Sequence, residues 1–156
     1  MSIRFVHGDI FLTQAHAVAV GMSANGRFAV SPFHTALHDR YPVFISECSK
    51  RGRASALVPG AIWMWREAQP WLVGVVIQET PQGAVRLRYV ETALLNLYKD
   101  WEREGLRSLA MMRFGDDGEW PAVRALLEDY LSRIALPVIV YEDYQPGVAA
   151  EGVTNL

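Results

Sequence analysis

An acidic loop that carries Asp116, Asp117 and Glu119 is the part of this sequence best equipped for chemistry. It lies in the segment SLAMMRFGDDGEWPAV, residues 108–123, between an apolar run that predicts a strand and a Trp-Pro pair that predicts the first turn of a helix. Such loops in α/β proteins often hold a phosphate at the helix N-terminus, where backbone N–H groups favour an anion. Carboxylates would repel that phosphate. The loop therefore serves either another kind of ligand or acid–base chemistry.

The overall composition is that of one globular domain with no strong charge. The 156 residues carry a net charge of −2, so the charge balance does not favour nucleic acid or an anionic membrane, although a local basic patch stays open. Cys48 is the single cysteine, the N-terminus lacks a signal-peptide pattern, and no apolar run approaches the roughly 20 residues of a membrane span. We therefore expect a cytoplasmic protein without a membrane segment.

Strands and helices are predicted from hydrophobic periodicity and from turn and capping signals. Strands are expected at 3–7, 16–20, 61–67, 71–78, 109–112 and 137–143, and helices from 32, over 43–50, over 85–104 and from 121. A helical spacing predicts one buried helix face formed by Val90, Leu94, Leu97 and Trp101. The alternation of strands and helices predicts an α/β fold with three layers, in which helices cover a mixed, mostly parallel sheet.

The order of these elements and three short motifs resemble those of a macrodomain. The motifs are the opening GDI, the RYP after a short helix, and the run MMRFG…EWPAVRALLEDYL. The resemblance is nearest to the branch with the macrodomain antitoxin that reverses DNA ADP-ribosylation and the terminal ADP-ribose protein glycohydrolase. It implies a macrodomain-like domain over residues 1–144, followed by a C-terminal tail over 145–156, and ADP-ribose as the ligand.

The resemblance implies ligand-binding roles near the first two strands. Asp9 would accept a hydrogen bond from the adenine amino group, beside the backbone of Ile10, and the alternative is a turn in which Asp9 bonds its own backbone. The asparagines that contact ribose in the family are mostly replaced here. Ser23 and Asn25 are the polar residues left to take their place, and the alternative is an ordinary Asn-Gly turn before a capped helix.

The acidic loop itself aligns with the phosphate loop of macrodomains and is shorter in this chain than in the family. Arg113, Phe114 and Gly115 are its expected ligand-binding residues. Arg113 would offset the acids or would pair with Asp116 or Glu119, and Phe114 would pack near a ribose.

A catalytic role is implied for one of two neighbouring acids. An aspartate of this loop serves some macrodomains as a catalytic acid or base, and the role carries over to Asp116 or Asp117; the alternative is a solvated loop. The lysine that the glycohydrolase branch uses is missing, because residues 78–80 read Gln-Glu-Thr. A covalent lysine mechanism is therefore not supported.

Two histidines on the first predicted helix have a spacing that also occurs in zinc sites. His34 and His38 lie four residues apart and share a helix face, but no third ligand motif accompanies them. We expect a half-exposed helix face there, and neither a metal nor a cofactor.

Three functions stay open from the sequence. The first is a macrodomain that binds ADP-ribose or a related nucleotide, free or attached to a protein or nucleic acid, through altered loops. The second is an ADP-ribosyl hydrolase in which a loop aspartate activates water. The third is a non-catalytic interaction module, such as an antitoxin or immunity protein, with a protein partner.

Overall fold

The computed structural model describes residues 3–150. Within them the elements are β1 Ile3–Gly8, a 3₁₀ turn Ile10–Leu12, β2 Ala17–Ser23, α1 Pro32–Arg40, α2 Pro42–Arg53, β3 Ile62–Trp65, β4 Trp71–Gln78, α3 Leu87–Asp100, β5 Leu109–Met112, α4 Trp120–Leu131 and β6 Val138–Tyr144. Every strand and helix that the sequence predicts is present: β4 and β5 have the predicted bounds, and the bounds of the others differ by no more than four residues. None of the helices in the described part of the chain has both the length and the apolar character to cross a membrane.

The six strands form one sheet in the order β1-β6-β5-β2-β4-β3. All neighbours are parallel except β3 and β4, which form an antiparallel pair at one edge. Buried side chains of α3 and α4 share one core with the sheet, and those of α1 and α2 share a second core. The helices therefore lie on opposite faces, which confirms the α/β prediction of three layers.

Local signals place the helix ends. The Ser31 hydroxyl accepts a hydrogen bond from the His34 N–H at 3.2 Å and so caps α1. Pro42 follows α1 closely and opens α2, because proline fits the first turn of a helix. The predicted face of α3 is buried at Val90, Leu94 and Leu97.

The strand order decides which loops meet. Because β1, β6, β5, β2 and β4 are parallel, their carboxyl ends lie along one edge of the sheet. Asp9 follows β1 at one end of this row, and Gln78 ends β4 at the other. Four strand spacings separate them, which is about 19 Å. A long ligand can therefore contact both ends and the loops between.

Candidate functional site

A cleft of about 590 Å³ lies along this row of strand ends. Its walls come from three segments: residues 29–34 at the start of α1, residues 81–85 before α3, and residues 112–119 between the end of β5 and α4. Asp143 and Tyr144 close it beside β6. Ligands of open α/β sheets bind at the carboxyl ends of the strands, so this cleft is the candidate site.

Two carboxylates of the acidic loop, those of Asp116 and Glu119, cap the start of α4. The Asp116 carboxylate accepts the Glu119 N–H at 2.8 Å, and the Glu119 carboxylate accepts the Asp116 N–H at 3.1 Å. This reciprocal pair satisfies two backbone donors, as a capping box does. The second oxygen of Glu119 accepts the Val85 N–H at 2.8 Å and so joins this loop to the next one. Asp116 and Glu119 therefore hold the cleft wall in shape.

Asp117 faces solvent and pairs with a base. Its side chain is 93% exposed, and an oxygen lies 2.6 Å from Nη2 of Arg113. Arg113 pairs with Asp117 rather than with Asp116 or Glu119, because Asp116 and Glu119 bond to backbone groups. Both aspartates line the cleft, and the catalytic role of either stays a prediction.

Phe114 and Gly115 join Arg113 in the cleft wall. Phe114 is buried, with its ring in the core shared by α3 and α4. Gly115 has φ +87°, and a Cβ there would lie 2.9 Å from Glu119. Glycine at 115 therefore allows the close approach of the Glu119 side chain that caps the loop.

Gln78 is a site residue that the sequence reasoning did not select. It is 9% exposed, lines the cleft, and donates both hydrogens of its amide, to the carbonyls of Thr80 at 2.6 Å and Gly83 at 2.8 Å. Its Oε1 has no hydrogen-bond partner among residues 3–150, so it is an acceptor available to a ligand. The signal in the sequence is its position as the last residue of a buried strand.

Ser31 and His34 form a second polar pair in the cleft wall. The Ser31 Oγ lies 2.6 Å from Nδ1 of His34, and burial lowers the pKa of His34 to about 4. The imidazole is therefore neutral at pH 7, and its tautomer decides whether Nδ1 donates or accepts the hydrogen bond with Ser31. His38 is exposed, and residues 3–150 hold no group of three or more His, Cys, Asp or Glu side chains suited to a metal ion.

The burial of neutral His34 predicts that the free energy of unfolding falls in acid. An unfolded histidine binds a proton near pH 6.5 and folded His34 only near pH 4, so stability should fall between those values, by at most about 1.4 kcal/mol per pH unit. Urea unfolding at pH 7, 6 and 5 measures the slope. His34→Gln should flatten it, whereas His38→Gln, on the same helix, should leave it unchanged. Equal slopes in the parent and His34→Gln would contradict the assignment.

Asp9 lies beside the cleft and does not line it. It is 4% exposed, and its carboxylate accepts the N–H of Phe11 at 2.9 Å and the N–H of Gly147 at 2.8 Å. Ile10 is fully buried in the 3₁₀ turn that Asp9 caps. The Phe11 ring contacts the Tyr144 ring with 5.8 Å between centroids, so the Asp9 region adjoins the β6 end of the cleft. The adenine-binding role of Asp9 and Ile10 stays a prediction.

Ser23 and Asn25 lie in a turn outside the cleft lining. The Ser23 hydroxyl contacts Oδ1 of Asn25, which also accepts the Arg27 N–H at 3.2 Å. The turn packs tightly on α2, because a Cβ at Gly52 would lie 1.9 Å from the Asn25 carbonyl oxygen. Their polar groups serve this turn, and a ribose-binding role stays a prediction.

Several solved structures share this fold. The macrodomain of Thermus aquaticus DarG has a TM-score of 0.79 at 21% identity, over 90% of this chain and 98% of that one. Thermosipho africanus DarTG in complex with ADP-ribose has a TM-score of 0.82 at 17% identity, over 94% of this chain and 42% of that one. A macrodomain protein from Streptomyces coelicolor has a TM-score of 0.73 at 25% identity, over 90% of this chain and 99% of that one. Neither a family model nor a curated protein matches the sequence. The fold is that of macrodomains, in a divergent sequence.

Proposed function

We propose that this divergent macrodomain binds ADP-ribose, free or attached to a protein or nucleic acid, in the cleft along the strand ends. The observation that carries the proposal is a set of unpaired backbone N–H groups on cleft-lining residues. Six cleft-lining residues, three from each of two loops, make no backbone N–H hydrogen bond within residues 3–150: Ala29, Val30, Ser31, Phe114, Gly115 and Asp117. Backbone N–H groups beside helix N-termini suit a diphosphate.

The acidic residues of the loop are compatible with this ligand. Asp116 and Glu119 accept backbone N–H groups, which reduces the field that their charges exert on the cleft. Asp117 is exposed to water and paired with Arg113, and exposed charges are strongly screened. The diphosphate would thus be held mainly by neutral backbone donors.

The two ends of the row fit the two ends of ADP-ribose. In this proposal the base lies toward Asp9 and Ile10 at the β1 end, and the terminal ribose lies at the β4 end, where Oε1 of Gln78 accepts a hydroxyl proton. Phe114 packs against that ribose. DarTG from Thermosipho africanus, whose structure contains ADP-ribose, shares this fold, which supports the choice of ligand.

Hydrolysis of an ADP-ribosyl bond is the second candidate. The observation that favours it is that Asp116 and Asp117 both line the cleft, where either carboxylate would activate a water. Release of ADP-ribose from a modified substrate, compared between the parent, Asp116→Asn and Asp117→Asn, tests this role. Equal rates in all three proteins would remove the loop from catalysis.

Calorimetric titration with ADP-ribose tests the binding proposal. We expect saturable heat, and weaker binding of ADP, which lacks the terminal ribose. No heat at millimolar ADP-ribose would contradict the proposal and would favour an interaction module.

Asp117→Asn should strengthen ADP-ribose binding about twofold to fivefold, the scale of one exposed ion pair. The substitution removes a negative charge from the cleft. It also frees Arg113, which pairs with Asp117 in the unmodified protein. Titrations at low and high salt measure the gain, which should shrink as salt rises. Asp129→Asn is the matched control. Asp129 lies on α4, is exposed, pairs with Arg133, and does not line the cleft. Weaker binding in Asp117→Asn would show that the carboxylate itself contacts the ligand.

A further inference from the structure

The chain after β6 folds back as a tight turn. Residues 145–148 read Gln-Pro-Gly-Val, with proline and glycine at the two central positions and φ +76° at Gly147. The Val148 N–H donates to the Gln145 carbonyl at 3.1 Å, which closes the turn. These features are those of a type II turn. We call residues 145–148 the C-terminal turn.

The C-terminal turn docks on Asp9 through two hydrogen bonds of opposite direction. The Gly147 N–H donates to the Asp9 carboxylate at 2.8 Å, and the Asp9 N–H donates to the Val148 carbonyl at 2.7 Å. The Gln145 N–H also donates to the Gly8 carbonyl at 2.9 Å. A Cβ at Gly8 would lie 2.8 Å from the Val148 oxygen, so the end of β1 accommodates the turn at very short range.

This pair of bonds has the polarity of an adenine edge. Adenine presents an amine donor beside a ring-nitrogen acceptor, and the C-terminal turn presents an N–H donor beside a carbonyl acceptor to the same residue. We propose that the C-terminal turn occupies the base position of the ADP-ribose site as an intramolecular competitor. This inference rests on the proposed function. A base binds at Asp9 only after the turn has left.

The contacts of the turn make it displaceable. Residues 146–149 are exposed, and a Cβ at Gly147 would meet nothing within 4 Å. The turn is thus held by backbone hydrogen bonds with little side-chain packing. Phe33 and Tyr144 line the cleft, and their ring centroids lie 5.6 and 5.8 Å from that of Phe11, which is near Asp9. A cluster of aromatic rings therefore connects the cleft with the Asp9 region.

Gly147→Pro in the full chain tests the competition. Proline removes the donor N–H and cannot adopt φ +76°, so the turn should leave Asp9. ADP-ribose affinity should rise about fivefold or more, since affinity scales with the fraction of open molecules, whereas the affinity for ribose 5-phosphate should not change. Pro146→Ala is the control, because it keeps both bonds to Asp9. Unchanged or weaker ADP-ribose binding in Gly147→Pro would overturn the inference.

Amide exchange of the unmodified protein gives a second test. The Gly147 N–H should be protected in the free protein and in ribose 5-phosphate, and should lose protection when ADP-ribose saturates the site. Retained or increased protection would overturn the inference. The two proposals fail in different ways. If the parent binds ADP-ribose and Gly147→Pro binds it no more tightly, only the competition is contradicted. If neither the parent nor the two variants bind ADP-ribose, the binding proposal and the competition are both contradicted.

Discussion

Leu94→Ala is expected to lower the free energy of unfolding by about 2 to 5 kcal/mol, the range for a buried leucine truncated in a core. Leu94 is 2% exposed on the face of α3 that packs against the sheet. The same core contains Phe114 in the cleft wall, so the substitution should also weaken the support of the acidic loop. Urea unfolding measures the loss.

The next residue on the same helix provides the control. Leu95 is 50% exposed, and Leu95→Ala should change the free energy of unfolding by no more than about 0.5 kcal/mol, as surface substitutions usually do. Equal losses in the two variants would contradict the layering, because they would mean that the predicted face of α3 is not the buried one.

The elements could be predicted because their signals are local. Ser31 followed by proline predicts a capped helix start, and the structure shows that cap. The apolar run at 109–112 predicts β5, and the structure gives the same bounds. Each signal lies within a few residues of the element it specifies, so one sequence contains it completely.

The partners within the site could not be predicted in the same way. One of the two donors to the Asp9 carboxylate is Gly147, 138 residues away, and one of the two donors to the Glu119 carboxylate is Val85, in another loop. These contacts depend on which strands are neighbours in the sheet, and the sequence contains no local trace of that order. The Pro-Gly pair predicts a turn at 146–147, but its docking on β1 follows only from the β1–β6 pairing.

The acidic loop shows how the two kinds of information combine. The sequence reveals three carboxylates before a helix, and this pattern fits chemistry, ligand binding or capping equally well. The structure shows a capping role for two of them, because Asp116 and Glu119 each satisfy a backbone donor at the helix start; a catalytic role of Asp116 stays a prediction. A further acceptor that makes no hydrogen bond within residues 3–150 is Oε1 of Gln78, which lines the cleft at the end of β4.

Gln78→Leu should therefore weaken ADP-ribose binding about tenfold or more while changing ADP binding much less. Both amide hydrogens of Gln78 bond to carbonyls of the next loop, which fixes the side chain and leaves Oε1 as an acceptor in the cleft. An acceptor held in a fixed position for a hydroxyl discriminates against a ligand that lacks this hydroxyl. ADP lacks the terminal ribose, so the ratio of the ADP-ribose and ADP affinities isolates this contact.

The ratio of the ADP-ribose and ADP affinities also distinguishes the loss of the Oε1 contact from a disordering of the loop after β4. Leucine removes the bonds to Thr80 and Gly83, and a disordered loop should weaken both ligands together. Gln82→Leu is the matched control, because Gln82 lines the same cleft but is exposed, and it should leave the ratio unchanged. Gln78→Glu keeps an acceptor oxygen and should preserve part of the preference for ADP-ribose. An unchanged ratio in Gln78→Leu, or an equal fall in Gln82→Leu, would place the terminal ribose away from β4 and would reverse the proposed direction of the ligand in the cleft.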